Sequence, residues 1–473
     1  MRLFGVDYGT TSSSVCVYEQ GTCEPVPLSE EGPLRSVLSY FADGDVAVGE
    51  VRPGACRVVR CPKRSFGEEA SREDNLALLR EVKRRAVGHG ERMFAVVSVP
   101  VHYNHHQRLL MKSLCALAGI EVLRLVQEPS AIALSVSTGG ESVLVVDVGG
   151  GTTDIALVEL TEGVYDVTFS RGFDGLGGEA VNELIAEALP SVDDVEGHKL
   201  SGAVPQEVLW PFLDRVAAAV QECLAECLIP PDRAVVAGGG SRLVGLLAHL
   251  QRCLFPTPVE LVPDSVYACS RGAAIYASVV CFPSEAIVLS EVLPTDLGVE
   301  VHKSLMHCVV PRGSPVPCSR SAFFSRDTEE VTCIRVLQGN DPVSKKNFLV
   351  GEVTVRLGAE ERVEVCISVD MNSLISVHVK SYGSGKLLAS KDFRAGENQG
   401  PAQPTTSVSD LEEVRTLLRA QDLVRKVKET CTRTPRFEGV GQRLSEELSQ
   451  TPPEKLKSFV KEVESKYKAF LIT

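Results

Sequence analysis

As far as about residue 280 the chain alternates short β-branched runs with stretches of helical spacing. LFGVDYG (3–9), AVVSVPV (95–101), SVLVVDVGG (142–150), TDIALVEL (153–160) and RAVVAGGG (233–240) have strand length and composition, and apolar residues recur at helical intervals near 74–87, 105–118, 211–228 and 242–254. Strands and helices alternating in this way build α/β layers around a mixed sheet. From about 294 to 394 the character changes. EVTCIRVLQG, LVGEVTVRLG, RVEVCISVD and LISVHVKSYG alternate or run β-branched between turn residues, which predicts an all-β sandwich. A polar, Gly/Pro-rich linker follows in AGENQGPAQPTTSVS. Beyond it Leu411, Val414, Leu417, Leu418, Val424 and Val427 trace one helical face, and a further helix is expected after Pro453.

Length agrees with that division, since 473 residues at about 150 per domain suggest about three domains. The net charge of −13 and pI near 5.3 argue against nucleic acid or anionic membrane as partners. An apolar fraction of 44% and mean hydropathy of +0.06 are those of an ordinary globular protein. No run approaches the length of a membrane-spanning helix, and the N-terminus reaches Asp7 too early for a signal peptide. The 15 cysteines are scattered from Cys16 to Cys431 without a CxxC pair. Cys223 and Cys227 lie one helical turn apart, but no second ligand pair accompanies them, so they read as packing residues of a helix. Reduced thiols in a cytoplasm are the expectation.

Candidate chemistry lies in three glycine-rich turns. GVDYGTTSS (5–13) and VVDVGGGTTD (145–154) share one design, a β-branched strand ending in Asp, then Gly, then paired threonines. Glycine lets backbone N–H groups approach a phosphate, and the hydroxyls add donors. The repeat suggests a duplicated half-domain in which Asp7 and Asp147 converge to hold a hydrated Mg²⁺. VVAGGGSRL (235–243) again leaves a strand for a helix. Any one of these is a tight strand turn; three together point to a nucleotide. Neither a GxxxxGK[ST] loop nor a GxGxxG fingerprint is present, which disfavours P-loop and dinucleotide-binding folds.

With these loops, CPKRSFG (61–67), VSVPVHYNHHQR (97–108), AGIEVLRLVQEPSAIAL (118–134), GFDGLGGE (172–179) and IVLSEVLPTDLGVE (287–300), the chain resembles the DnaK-type seventy-kilodalton heat-shock chaperones nearly end to end. The resemblance implies a duplicated, actin-like (ribonuclease H-like) ATPase core over 1–284. After it come an interdomain linker at 285–293, a β-sandwich substrate domain at 294–395, a flexible linker at 396–408 and a short helical lid at 409–473. ATP or ADP with Mg²⁺ would be the cofactors. By resemblance Lys63 is the catalytic lysine, a fixed cation able to orient water and stabilise developing charge. Glu128, Thr152 and Asp154 sit with it, and Asp7 and Asp147 hold Mg²⁺ through water. Gly9, Thr10, Thr11, Gly149, Gly150, Gly151, Thr152, Gly177 and Gly178 cradle phosphates, while Gly238, Gly239, Arg242 and Asp264 face the nucleoside. Pro100 and Arg108 match an allosteric relay, and His302 and Thr332 the peptide pocket. His102, His105 and His106 suggest zinc, but the place is a turn entering a helix with Asn104 as its cap, and solvated histidines are expected.

Departures from the family bear on function. Glu179 to Val236 spans 236 − 179 + 1 = 58 residues, too few for the upper subdomain whose basic helix clamps adenine, and no such helix is legible there. Weaker nucleotide binding and independence from an exchange factor follow. Ser290 and Glu291 replace a leucine and an aspartate of the linker, so weaker docking is expected. The reading that results is a weak ATPase and monomeric chaperone, HscA-like, serving a client such as the iron–sulfur scaffold with a J-domain partner. The alternatives are a general DnaK-like chaperone and a nucleotide sensor with little turnover. Actin-like filament ATPases and sugar kinases are disfavoured by the β-domain.

Overall fold

The computed structural model describes residues 2–88, 91–136, 139–192, 194–282, 287–301, 304–325, 331–356, 362–393, 444, 447 and 455–466. Two compact units divide the chain. The first comprises Met1–Asp296, Val310–Thr332 and Val355–Glu397; the second comprises Leu297–Val309, Cys333–Thr354 and Asn398–Thr473.

The first unit opens with β1 (Leu3–Asp7), β2 (Ser12–Glu19), β3 (Thr22–Val26), β4 (Leu34–Arg35), β5 (Val37–Tyr40), β6 (Val46–Val48), β7 (Arg57–Arg60), α1 (Arg72–Val87), β8 (Met93–Val99), α2 (His105–Ala118), β9 (Ile120–Gln127) and α3 (Glu128–Val136). It continues through β10 (Ser142–Val148), β11 (Thr152–Thr161), β12 (Val164–Asp174), α4 (Gly178–Ala188), α5 (Val195–Leu200), α6 (Gln206–Glu226), β13 (Arg233–Ala237), α7 (Leu246–Leu254), β14 (Val259–Leu261), α8 (Ala268–Cys281) and β15 (Val288–Val292).

The duplication expected from the two Asp-Gly loops is visible in the sheets. One runs β3-β2-β1-β8-β9, the other β14-β13-β10-β11-β12-β15, extended by a later strand. In each, the strand that carries the aspartate forms an antiparallel hairpin on one side and a parallel pair on the other. Asp7 stands opposite Ser14 and Ser98; Asp147 stands opposite Asp154 and Ala237. The parallel strands are covered on both faces, which is why MFAVVSV and SVLVVDV read as nearly unbroken apolar runs. Helix α8 packs closely on α3 and on β1 through glycine: a Cβ on Gly272 would fall 1.6 Å from the Ala131 carbonyl oxygen of α3, and one on Gly5 of β1 2.1 Å from that of Ser270.

Four helices escaped the periodicity reading: α3, α4, α5 and α8. α8, ACSRGAAIYASVVC, is rich in small residues and buried along most of its length, so it lacks a polar face to mark its period. α5 is too short to show one.

The 294–394 segment holds β16 (Leu297–Val301), β17 (Leu305–Val310), β18 (Pro315–Val316), β19 (Cys318–Ser325), β20 (Val331–Gln338), β21 (Phe348–Arg356), β22 (Arg362–Val369), β23 (Ile375–Ser381) and β24 (Leu387–Asp392). All but β18 make two four-stranded sheets, β17-β16-β20-β21 and β19-β22-β23-β24. The first lies almost wholly in the second unit, and the other belongs to the first unit. Burial in β22 and β23 alternates residue by residue, as the sequence alternation required. Within the segment read from the sequence as an interdomain linker, Val288–Val292 is itself a strand. β15 pairs with β12 from Val164↔Val288 to Asp166↔Ser290, and with β18 at Glu291↔Val316 and Val292↔Pro315. Ser290 does not prevent this docking, because ladder hydrogen bonds use the main chain whatever the side chain. The 396–408 linker and most of the 409–473 element lie outside the described residues; the helix expected after Pro453 is α9 (Leu456–Lys466).

Candidate functional site

The first two glycine loops meet face to face. A Cβ on Gly150 would lie 2.5 Å from the Thr11 side chain, and one on Gly151 2.8 Å from Thr10 Oγ1. Gly177 closes the same cradle, its missing Cβ 2.6 Å from the Gly150 carbonyl oxygen, and Gly178 N–H donates to Gly149 O (2.9 Å). Gly149 N–H donates to Thr152 O (2.9 Å), and a Cβ on Gly9 would sit 2.1 Å from Ser12 O. The third loop reaches Asp147: Gly238 has φ +79°, and its Cβ would stand 2.4 Å from Asp147 Oδ1. Gly239 faces open space. Arg242 and Asp264 are exposed on the same half of the core, with Asp264 paired to Arg271 at 3.5 Å.

Four carboxylates surround one cation. Lys63, on a 3₁₀ turn at Pro62–Ser65, is buried and donates to Glu128 Oε1 at 3.0 Å. Burial, the largest influence, pushes its ammonium pKa down, but Glu128 and Asp7 outweigh it and the net shift is upward. The lysine therefore stays charged. Burial raises Asp7 to about 7, with Glu128 adding to the rise and Lys63 opposing it. Asp147 is raised well above its usual range, by burial and then by Glu128 and Asp7. Asp154 rises to about 6 through burial, although Val101 N–H (2.8 Å) and Thr152 Oγ1–H (3.0 Å) both donate to it. Glu128 is raised for the same first reason. This surplus of dehydrated negative charge suits a divalent cation. Among the described residues no three His, Cys, Asp or Glu side chains are arranged to ligate a metal directly. Asp7, which accepts from Ser98 Oγ (3.1 Å), and Asp147 thus fit an ion that keeps its own waters, as Mg²⁺ does.

A cavity of about 250 Å³ opens beside Lys63, lined by Thr10, Pro100, Tyr103, Gly151, Thr152 and Asp174 among others. The lysine ammonium stands over two rings, 5.9 Å from the centroid of Tyr8 and 5.7 Å from that of Tyr103. Tyr8 is anchored by donating to Asn75 Oδ1 (2.6 Å), and Asn75 Nδ2 donates to the Ser71 carbonyl (2.7 Å).

Two short paths lead out from this site. Strand β9 ends at Gln127, whose N–H donates to Glu291 Oε1 (2.8 Å) and whose side chain donates to Val292 O (3.0 Å); the next residue is Glu128. The other path runs from Pro100 in the cavity wall to helix α2. There Arg108 is buried and donates to Tyr103 O (3.2 Å). Asn104 caps α2 as expected, in a reciprocal capping box with Gln107. His105 corrects the expectation of solvated histidines. It is only 1% exposed, its Nδ1 accepts from Ile375 N–H (3.1 Å) and its Nε2 lies 3.3 Å from Phe393 O. Nearby, Leu125 N–H donates to Asn372 Oδ1 (2.9 Å).

Between Glu179 and Val236 the sequence reads as polar and turn-rich around DDVEGHKLSGAVPQE, and the structure folds part of that stretch into a six-residue helix. Asp194 caps the short α5, on which Lys199 pairs with Glu196 (2.7 Å) and donates to Gly178 O (3.3 Å), beside the point where Gly178 meets Gly149. The capping aspartate and the i,i+3 Glu–Lys pair were the available signals. Tyr8 and Tyr103 were also missed, since nothing in their spacing distinguishes them from core aromatics. Thr332 sits partly exposed near the start of β20, and His302 lies outside the described residues. The family model described as Hsp70 protein matches this chain over residues 75–194 and 193–470.

Proposed function

The chain belongs to the Hsp70 family, a family of ATP-dependent chaperones, and on that premise we propose that it couples ATP hydrolysis at Lys63 to the capture and release of a narrow set of client peptides. One observation carries the coupling. Glu128 holds the lysine at 3.0 Å, and its chain neighbour Gln127 is held by Glu291 of the linker strand at 2.8 Å. A shift of β15 acts on the hydrolysis site through a single peptide bond.

In the proposed reaction Lys63 stays protonated and orients the attacking water, stabilising the charge that develops on the transferred phosphoryl group. Asp154, clamped by two hydrogen bonds, and Glu128 are the groups placed to hold that water. Thr10, Thr11 and the Gly149–Thr152 loop bind and orient the phosphates. Mg²⁺, held through water by Asp7 and Asp147, would supply neutralising charge when bound. The client is released when nucleotide binding favours the docked arrangement of β15 and β18, and retained when it does not.

The 58 residues between Glu179 and Val236 favour weaker nucleotide binding than a complete upper subdomain would give, and operation without an exchange factor. The specialised reading, HscA-like service to an iron–sulfur scaffold, rests on the shortened architecture alone. Stimulation of ATP turnover by the scaffold and its J-protein, but not by generic unfolded peptides, supports it; the reverse pattern supports a general chaperone. Lys63→Ala is expected to abolish turnover while nucleotide binding persists. Unchanged hydrolysis in that variant would sink the assignment.

A further inference from the structure

Two buried polar atoms beside Lys63 find no hydrogen-bond partner among the described residues, the Tyr103 hydroxyl and His102 Nδ1. Both residues line the cavity that also carries Thr10, Gly151 and Thr152. Tyr103 is 3% exposed, and its ring is fixed from two sides, stacked on Phe66 at 5.3 Å and edge-on to His102 at 5.4 Å. The ring alone would serve the lysine, which stands 5.7 Å over it, and phenylalanine would do the same without stranding an oxygen. A buried hydroxyl without a partner is destabilising. Burial, then Glu128, Asp154 and Asp174, hold its proton on well beyond the ordinary phenol range, so it remains a donor.

We propose that the Tyr103 hydroxyl is a further hydrogen-bonding group of the hydrolysis site, donating to the oxygen that occupies the cavity beside Lys63, either the attacking water or a terminal phosphate oxygen. The inference rests on the ATPase reading and adds a contact to it. Asp174, Glu179 and Glu183 also line this cavity, and their like charge disfavours a phosphate oxygen next to them. His102 Nδ1 is a second unpartnered polar atom on a residue of this cavity.

Tyr103→Phe in the full chain separates the possibilities, because it keeps the stack on Phe66 and the face toward Lys63. The expected result is a fall of about tenfold in kcat, the worth of one hydrogen bond, with an unfolding temperature unchanged or higher. If the donor meets the attacking water, affinity for a non-hydrolysable ATP analogue is unchanged. If it meets a phosphate oxygen, analogue affinity falls and ADP affinity does not. Wild-type kcat together with a wild-type ratio of analogue to ADP affinity would overturn the inference. Lys63→Ala run alongside distinguishes the failures: turnover lost there and kept in Tyr103→Phe defeats only the tyrosine's role. A wild-type chain that neither hydrolyses nor binds nucleotide defeats both.

Discussion

Gly238 and Gly239 are adjacent, identical in sequence terms, and opposite in what they tolerate. At Gly238 the backbone is left-handed, φ +79°, and a Cβ would press to 2.4 Å on both Asp147 Oδ1 and Val148 O; at Gly239 it would meet nothing within 4 Å. Gly238→Ala is therefore expected to destabilise the fold by about 1–3 kcal/mol, from overpacking and backbone strain together. It should also weaken nucleotide binding at least tenfold by displacing Asp147. Gly239→Ala should leave the unfolding temperature unchanged, and any loss of affinity it causes would report a ligand on that open face. Chemical denaturation of the two variants checks this, and equal destabilisation would refute it. The aspartates were legible because each follows a β-branched strand and precedes glycine. Tyr103 was not, because its value depends on which atoms surround its hydroxyl.

Helix α2 carries a buried histidine whose contacts depend on its protonation state. His105 uses both ring nitrogens, accepting at Nδ1 from Ile375 N–H and facing Phe393 O with Nε2, which only the neutral Nε2–H tautomer satisfies. Burial, opposed by the Phe393 carbonyl, lowers its pKa from 6.5 to about 4. The charged or titratable groups about it are His106 and Arg108 on α2, which lower it further, and Asp370 on the β22–β23 turn, which raises it. An undocked His105 binds its proton near 6.5 and the docked one only near 4. The contact's stabilisation is thus complete above the higher value and lost as pH falls through the window between them, by about 3 kcal/mol at the acid end. Hydrogen exchange of the Ile375 amide and of β15, corrected for intrinsic rate, should accelerate across that window in the wild type and not in His105→Gln. A pH-independent wild type would refute it. The sequence showed a capped helix start here and could not show that β23 would arrive on top of it.

At the scale of the whole molecule, β15 joins elements of the first unit that lie far apart in the chain. β15 extends the sheet of the second half-domain, and β18 continues it with a strand from the β-rich segment. Glu291, 6% exposed, spends its carboxylate on Gln127 N–H. Burial, with Gln127 opposing, raises its pKa, so neutral glutamine is a close substitute. Glu291→Ala should leave basal ATP turnover within about twofold and remove most stimulation by client, while Glu291→Gln retains it. Client-stimulated turnover measured in both variants tests this, and full stimulation of the alanine variant would exclude the path through Gln127. By itself the sequence determined the duplicated α/β core, the β-rich segment and the glycine loops that the fold brings face to face. Strand periods, glycine positions and Asp-x-Gly junctions are local features, set by backbone sterics within a few residues. What only the tertiary structure decided were the pairings between residues far apart in the chain: Lys63 with Glu128 and two tyrosine faces, His105 with β23, Glu291 with Gln127, Lys199 with the Gly178 carbonyl. Each depends on side chains that folding brings together and dehydrates, and dehydration, which no local pattern encodes, is what raises the pKa values of the site's carboxylates.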